Sequence, residues 1–359
     1  MMVSDQFHGR PFDEGTLTKL QIFELYAREW LPVFLARADP PKRELHIFDF
    51  FAGPGMDSKG ELGTPLRLLR QLAGVQGFPG WVRTNVHAHF YDSDPKKIDK
   101  LKSAIAAQGL TISRLTLDVD TLEFGQALKA CAAVLGDSNA AKLLLVDQFG
   151  VDNVTPEVFR GMVNSPTCDF LFFLSSSTLH RFRDHPAIKQ KIKRPDDYFH
   201  VHRTALEYYR SLLSNRSAYY LAPFSIKKGA NIYGLVFGSA HPLGMDKFLQ
   251  VAWKEDEISG EADFDIHRDN IKPGQPKFDL EEFRPTKVSA FERELEAILR
   301  SGGARNERDV IDVCFRHGVK RQHATAVLSK LKGDGTIDLS FRVPDIRKLC
   351  TPRPIQLRA

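Results

Sequence analysis

The chain has little cysteine. Four residues in 359, Cys131, Cys168, Cys314 and Cys350, are widely spaced and form no C-x-x-C pair. That argues against a disulfide framework and against a cysteine zinc site, and it suits a reducing cytoplasm. No apolar run approaches the roughly 20 residues that a membrane helix requires. The first residues, with Asp5, His8, Arg10 and Asp13 close together, lack the apolar core of a signal peptide, so a cytoplasmic location is expected. There is no internal repeat and no low-complexity tract. A complete G-x-G-x-x-G fingerprint is also missing: after Gly53 and Gly55, Ser58 stands where the third glycine would fall. This weakens a nicotinamide-dinucleotide oxidoreductase reading.

What is present describes an ordinary folded chain, 42% hydrophobic and 26% charged, long enough for two domains of roughly 100–200 residues each. The net charge of +5 is unevenly spread. Residues 301–359 hold twelve Lys/Arg against six Asp/Glu, so the basic surplus lies in the tail.

Ile47-Phe48-Asp49-Phe50-Phe51-Ala52-Gly53-Pro54-Gly55 is the most informative stretch. A largely apolar run breaks into a small-residue turn, which reads as a buried parallel strand feeding a glycine loop. Before it, Leu17, Leu20, Phe23, Ala27 and Trp30 recur at helical spacing over 16–38, with Pro32 expected to kink or split the helix. After it, strands are expected at 86–91, near 111–117, at 143–146 and at 169–174, alternating with helices. The fold class is therefore α/β: a Rossmann-like, doubly wound, mostly parallel sheet. Acidic residues recur where the strands end, at Asp49, Asp92, Asp118 or Asp120, and Asp147. Ligands of such sheets bind at that edge. Asp94, just before Pro95, reads as a helix cap.

Residues 181–230 read as a basic insertion carrying Arg181, Lys191, Lys193 and Arg194 among aromatics, with a helix of its own. Such a run can bind a phosphate backbone and stack a base; a solvated lid is the competing reading. His200 and His202 share a face of an extended segment, but two histidines are too few for a metal site, and no metal ligands are assigned. A strand is expected at 231–239 and an amphipathic element at 247–254, closing a first domain at about 255. Residues 256–287, with scattered Gly and Pro, read as a linker. From 288 the pattern is three short helices, a glycine turn and a strand over 336–341, which resembles a winged helix-turn-helix. Its recognition helix would be 321–332, offering Lys320, Arg321, Lys330 and Lys332 to nucleic acid. A helical cap or an oligomerisation module is the alternative.

The FAGPG run resembles the first motif of class I S-adenosylmethionine (SAM) dependent methyltransferases, in the form seen in DNA methyltransferases and their relatives. The resemblance implies that Asp49, Phe51, Ala52, Gly53 and Gly55 hold the methionine part of SAM. Asp92 would receive the ribose hydroxyls, and Asp118 or Asp120 the adenine amino group, with a helix cap equally open for either. Asp147-Gln148-Phe149-Gly150 loosely resembles the DPPY/DPPF motif of amino-group methyltransferases, in which the Asp and a nearby carbonyl accept from the target NH2. Asp147, Gln148 and Phe149 are the catalytic candidates on that basis. No Pro-Cys dipeptide follows the strand, so a cytosine-C5 mechanism with a cysteine nucleophile is unsupported.

A narrower resemblance covers most of residues 17–255. Lys19-Leu20, Leu25-Tyr26 and Trp30, the Asp49–Gly55 run with Gly63-Thr64-Pro65-Leu66, Asp147-Gln148-Phe149-Gly150, Asp169–Phe173 with Arg181, and Tyr233–His241 fall in the order found in bacterial three-Cys-motif partner proteins (TcmP). Members usually have proline where this chain has Gln148. The resemblance implies a SAM-type domain, frequently with a winged-helix tail, and a functional partner: a three-Cys-motif protein similar to radical-SAM enzymes, often encoded in phage or mobile-element contexts. The expected function is SAM-dependent methyl transfer to an amino group in nucleic acid. The alternative is a non-catalytic SAM-fold subunit that binds nucleic acid or activates a partner enzyme.

Overall fold

The computed structural model describes residues 11–147, 153–175, 206, 208–213, 219–228, 231–257 and 287–358. The chain divides into two compact units, Met1–His241 and Pro242–Ala359.

In the first unit the apolar runs form seven strands: β1 (Glu44–Asp49), β2 (Asn85–Asp92), β3 (Leu115–Thr121), β4 (Ala140–Val146), β5 (Cys168–Ser175), β6 (Tyr220–Lys228) and β7 (Asn231–Ser239). Their order across the sheet is β3-β2-β1-β4-β5-β7-β6. The first five are parallel, and β7 runs antiparallel between β5 and β6. Every residue of β4 is buried, the signature of a central parallel strand covered on both faces. The chain order reverses between β1 and β4, so the end of β1 is a topological switch point.

Helices α1 (Glu14–Leu35), α2 (Thr64–Gly74), α3 (Pro95–Ala107), α4 (Phe124–Ala130), α5 (Ala132–Gly136) and α6 (Pro156–Asn164) connect these strands. Local chemistry sets their starts. Asp13 caps α1 by accepting from Thr16 N at 2.9 Å, and Asp94 caps α3 by accepting from Lys96 N at 2.9 Å. Such caps are each worth about 1 kcal/mol. Thr155 caps α6 in the same way.

Four sequence expectations change. Pro32 lies inside α1 without splitting it, in its last turn, where its missing N–H removes only the bond back to the Arg28 carbonyl and little helix follows to be displaced. β3 begins and ends later than expected, so Asp118 lies within the strand and not at its end. The expected insertion of 181–230 gives up its last part to β6, an edge strand, a position that tolerates its Pro223. The boundary expected at 255 falls before Pro242, because the helix Pro242–Glu255 packs with the C-terminal unit. There Arg321 embraces Asp246 through Nε at 2.6 Å and Nη2 at 3.1 Å, and Trp253 Nε1 donates to Gly318 O at 3.0 Å.

The second unit also holds the helices Lys287–Arg300, Glu307–His317 and Ala324–Gly333, and a two-stranded antiparallel sheet of β8 (Ile337–Leu339) and β9 (Ile355–Leu357). Phe291, Leu295 and Leu299 line the buried face of the first of these helices at four-residue spacing. Gly318, at φ 64°, ends the Glu307–His317 helix in the left-handed region that glycine enters without a Cβ penalty. No helix among the described residues is long and apolar enough to cross a membrane.

Candidate active site

The ends of β1, β2 and β4 bring Asp49, Asp92 and Asp147 to one edge of the sheet, around the turn 50–55. Backbone geometry makes the turn: Gly53 and Gly55 take φ of 63° and 85°, which side chains disfavour. Gly55 is required for a second reason. A Cβ there would meet Leu101 Cδ1 at 2.9 Å, so the loop packs directly on α3. Gly55 O accepts from Gly63 N at 2.7 Å, which ties the loop to the start of α2. Gly55 therefore owes its identity to packing against helices as much as to any ligand.

Asp92 fastens the loop from the other side. Its Oδ2 accepts from Gly53 N at 3.1 Å and its Oδ1 from Asp94 N at 3.0 Å, with Lys97 Nζ 3.7 Å away. Each carboxylate oxygen has a second lone pair, so Asp92 retains acceptor capacity for a ligand while holding the loop. Ala52 is buried and donates its N–H to Tyr91 O at 2.9 Å. The Phe51 ring packs on Phe124 of α4, with centroids 5.4 Å apart, and its N–H donates to Asp49 Oδ1 at 3.0 Å.

Asp49 is buried, and its carboxyl is pushed up to about 7. Burial is the main cause, and the carboxylates of Asp147 and Asp92 add to it; the Phe51 N–H and the Lys19 ammonium oppose them. A cation placed beside Asp49 would favour its ionised form, so this edge is poised for a positively charged ligand.

Lys19 is the residue that the sequence reading did not assign to the site. It lies in the second turn of α1, is buried, pairs with Asp147 Oδ2, and its Nζ sits 5.1 Å from the centroid of the Phe173 ring. A signal was available. Lys19, Phe23, Tyr26 and Trp30 share the buried face of α1, and a lysine in that series calls for an acidic partner. Tyr26 makes the matching contact further along the helix, donating to Asp169 Oδ2 at 2.6 Å.

The remaining candidates separate. Asp118 accepts from the Tyr91 hydroxyl and lies 3.3 Å from His89 Nδ1, so it is engaged within the sheet. Asp120, one residue from the end of β3, is exposed and accepts from Thr121 N at 2.7 Å. Neither caps a helix, since Glu123 caps α4. Gln148, Phe149, Arg181, Lys191, Lys193 and Arg194 lie outside the described residues.

The four tail cations all have partners within the C-terminal unit. Arg321 is only 16% exposed in its pair with Asp246 and also donates to Pro344 O, so its guanidinium clamps elements of the unit together. Lys330 Nζ reaches both oxygens of Glu296, at 3.0 and 2.9 Å. Lys332 Nζ donates to Leu339 O at 2.8 Å, and Lys320 Nζ lies 5.8 Å from the Trp253 ring centroid.

The strand order, with an antiparallel strand inserted between β5 and β6, and the carboxylates around a glycine turn at the switch point define a Rossmann-like, mostly parallel sheet with an acidic edge. Solved structures similar to the chain include the SAM dependent methyltransferase from Agrobacterium tumefaciens, 9% identical, with 63% of this chain and 62% of that one covered and a TM-score of 0.35. A second is an rRNA methylase from Streptococcus thermophilus, 11% identical, with 63% and 97% covered and a TM-score of 0.30. A third is a point mutant of the 16S rRNA (adenine(1408)-N(1))-methyltransferase from Catenulisporales acidiphilia, 15% identical, with 59% and 89% covered and a TM-score of 0.30. The chain thus spans less than two thirds of the Agrobacterium protein. At such low identities and TM-scores these likenesses carry no functional weight. No protein-family model matches the sequence, and no curated protein matches it.

Proposed function

We propose that this protein is a SAM-dependent methyltransferase that acts on an amino group in nucleic acid. The observation that carries the reading is the set of three carboxylates, Asp49, Asp92 and Asp147, gathered at the switch point around a turn with two left-handed glycines. The residues fit the cofactor. Asp92 keeps lone pairs for a ribose diol, and Asp49 has an ionised form that a cation would stabilise. Asp120, exposed near the end of β3, suits an adenine amino group better than the engaged Asp118. SAM would supply an activated methyl group on a sulfonium. Asp147 would accept a hydrogen bond from the target amine and orient its lone pair toward that methyl. Gln148 and Phe149 complete this proposal as the residues beside it.

The ordered motifs shared with three-Cys-motif partner proteins support a further part of the reading: the chain works with a three-Cys-motif, radical-SAM-like protein. Three helices followed by a two-stranded antiparallel sheet support a winged helix in the C-terminal unit. With Arg321, Lys330 and Lys332 committed internally, that module is better suited to docking protein than to gripping a phosphate backbone through those side chains.

One observation favours the second reading, a non-catalytic SAM-fold subunit. Lys19 already occupies Asp147, the acceptor that amino-group transfer would use. Calorimetry with SAM on the full chain and on Asp92→Ala tests the cofactor site, and methyl transfer to DNA and RNA, with and without the partner, tests turnover. Under the enzyme reading Asp92→Ala loses SAM affinity by about ten- to hundredfold, as expected when a hydrogen bond to a buried carboxylate is removed, while Asp147→Ala loses turnover and keeps SAM affinity. SAM binding without turnover in any combination selects the subunit, and a well-folded chain that does not bind SAM removes both.

A further inference from the structure

Lower on the same sheet lies a polar cluster that methyl transfer does not use. His46 of β1 and His87 of β2 are register partners on adjacent parallel strands, and their rings stack at 4.3 Å between centroids with planes 6° apart. Glu44 shares the face of β1 with His46, two residues earlier, and its Oε2 lies 2.8 Å from His87 Nε2. One ligand atom each from Glu44, His46 and His87 lies within 4.8 Å of the others.

The hydrogen bonds behind the cluster decide how His46 carries its proton. Asp118, as a carboxylate, only accepts, so His89 turns an Nδ1–H toward it at 3.3 Å and leaves its own Nε2 as an acceptor. His46 Nδ1, 3.1 Å from that Nε2, must then be the donor. The tautomer leaves a bare lone pair on His46 Nε2. No donor among the described residues reaches it, although His46 is only 7% exposed. An unpaired buried acceptor is destabilising, because it has lost its hydrogen bonds to water and gained none in return. A metal-binding histidine characteristically donates its second N–H to such a chain, which fixes the ring and raises its basicity.

We propose that Glu44, His46 and His87 form a Zn2+ site of the two-histidine, one-carboxylate kind that links β1 to β2. Zinc takes such ligands at about 2.0–2.2 Å, which sets tetrahedral ligand atoms about 3.4 Å apart, so the widest gap, within 4.8 Å, must close by up to about 1.4 Å while the 2.8 Å contact between Glu44 and His87 opens. Rotation of Glu44 and His87, which are both partly exposed, can supply that movement. Water would complete the tetrahedron. His46 lies three residues before Asp49 and on the opposite face of β1, about 10 Å along the strand. The site is therefore separate from the carboxylate edge, and the proposal stands whether or not the chain transfers methyl groups.

The test uses the full chain, stripped with a chelator, desalted and titrated with ZnCl2 by calorimetry, then loaded with Co2+ for visible absorption. The expected result is one equivalent of zinc, bound at least tenfold more weakly by His46→Phe, His87→Phe and Glu44→Gln. A Co2+ d–d band should appear in the wild type and vanish in the two histidine variants. His317→Gln, a histidine paired with Glu294 elsewhere, should leave binding unchanged. Circular dichroism establishes that each variant is folded, and Glu44→Gln, altered at a partly exposed position, tests the site even where a histidine variant unfolds. No zinc bound by the folded wild type, or equal affinity in folded Glu44→Gln and His46→Phe, would overturn the assignment.

Discussion

The two units of this protein use charge in opposite ways. In the C-terminal unit, acids are matched with bases that hold the structure together. Asp246 holds Arg321 in a two-pronged contact, Glu307 holds Arg353 and the backbone N–H groups of Asp345 and Arg353, and Glu296 holds both Arg300 and Lys330. At the carboxyl edge of the sheet, Lys19 pairs with Asp147 and Lys97 approaches Asp92, but Asp49 is left with a carboxyl pushed up to about 7. A region that only has to fold neutralises its charges. A region that retains uncompensated acid holds a cost that a cationic ligand can relieve. The chain's basic surplus lies in the tail, yet the acid-rich edge of the sheet is the better candidate for function.

The comparison can be broken at either end. The largest effect is expected from Glu307→Ala, which leaves Arg353 and two N–H groups without their acceptor inside the C-terminal unit. It should lower stability by about 3 kcal/mol. Hydrogen exchange should place the loss in residues 287–358 and leave the sheet's protection intact. Burial alone would raise the Glu307 carboxyl, but Arg353 and the two N–H groups outweigh it and keep the carboxyl low. The native contribution should therefore persist at neutral pH and fade only as acid protonates it.

Lys19→Met comes next. It strands Asp147 beside Asp49 and should cost about 1–3 kcal/mol at neutral pH by denaturant titration. A variant as stable as the wild type at neutral pH would mean that the Lys19–Asp147 pair does not organise the edge.

Asp49→Asn probes the acid itself. The folded chain holds a proton on Asp49 that the unfolded chain has released, so between the ordinary aspartate value and about 7 stability falls as pH rises. Asp169, raised to about 6 chiefly by burial, acts in the same direction. Asp49→Asn should flatten this slope in part and should also remove the rise in SAM affinity expected as pH passes about 7. A slope unchanged in the variant would place the titration elsewhere. The smallest effect is expected from Lys330→Ala, because Lys330 is 61% exposed and exposed pairs contribute little. Its melting temperature should match the wild type, and a clear drop would show that even the surface pairs of the C-terminal unit carry structure.

Much of the edge was legible before any coordinates. Asp49, Asp92 and Asp147 stand where apolar runs stop, and a strand's end is a local feature of sequence. Asp94 before Pro95 read as a cap and is one. Asp118 was harder, because the twofold period of β3 places Asp118 and Asp120 alike, and only pairing with β2 shows which of them faces His89 and Tyr91. β6 was not expected at all; it carries Pro223, which an edge strand tolerates, and edge position is a property of the assembled sheet.

By itself the sequence determined the alternation of strands and helices, the glycine turn and the acids beside it, because periodicity, caps and turns act over a few neighbouring residues. Only the tertiary structure decided which charges are spent and which are kept. Lys19 finds Asp147 across 128 residues and Arg321 finds Asp246 across 75, and no local pattern can specify partners that only the folded chain brings together.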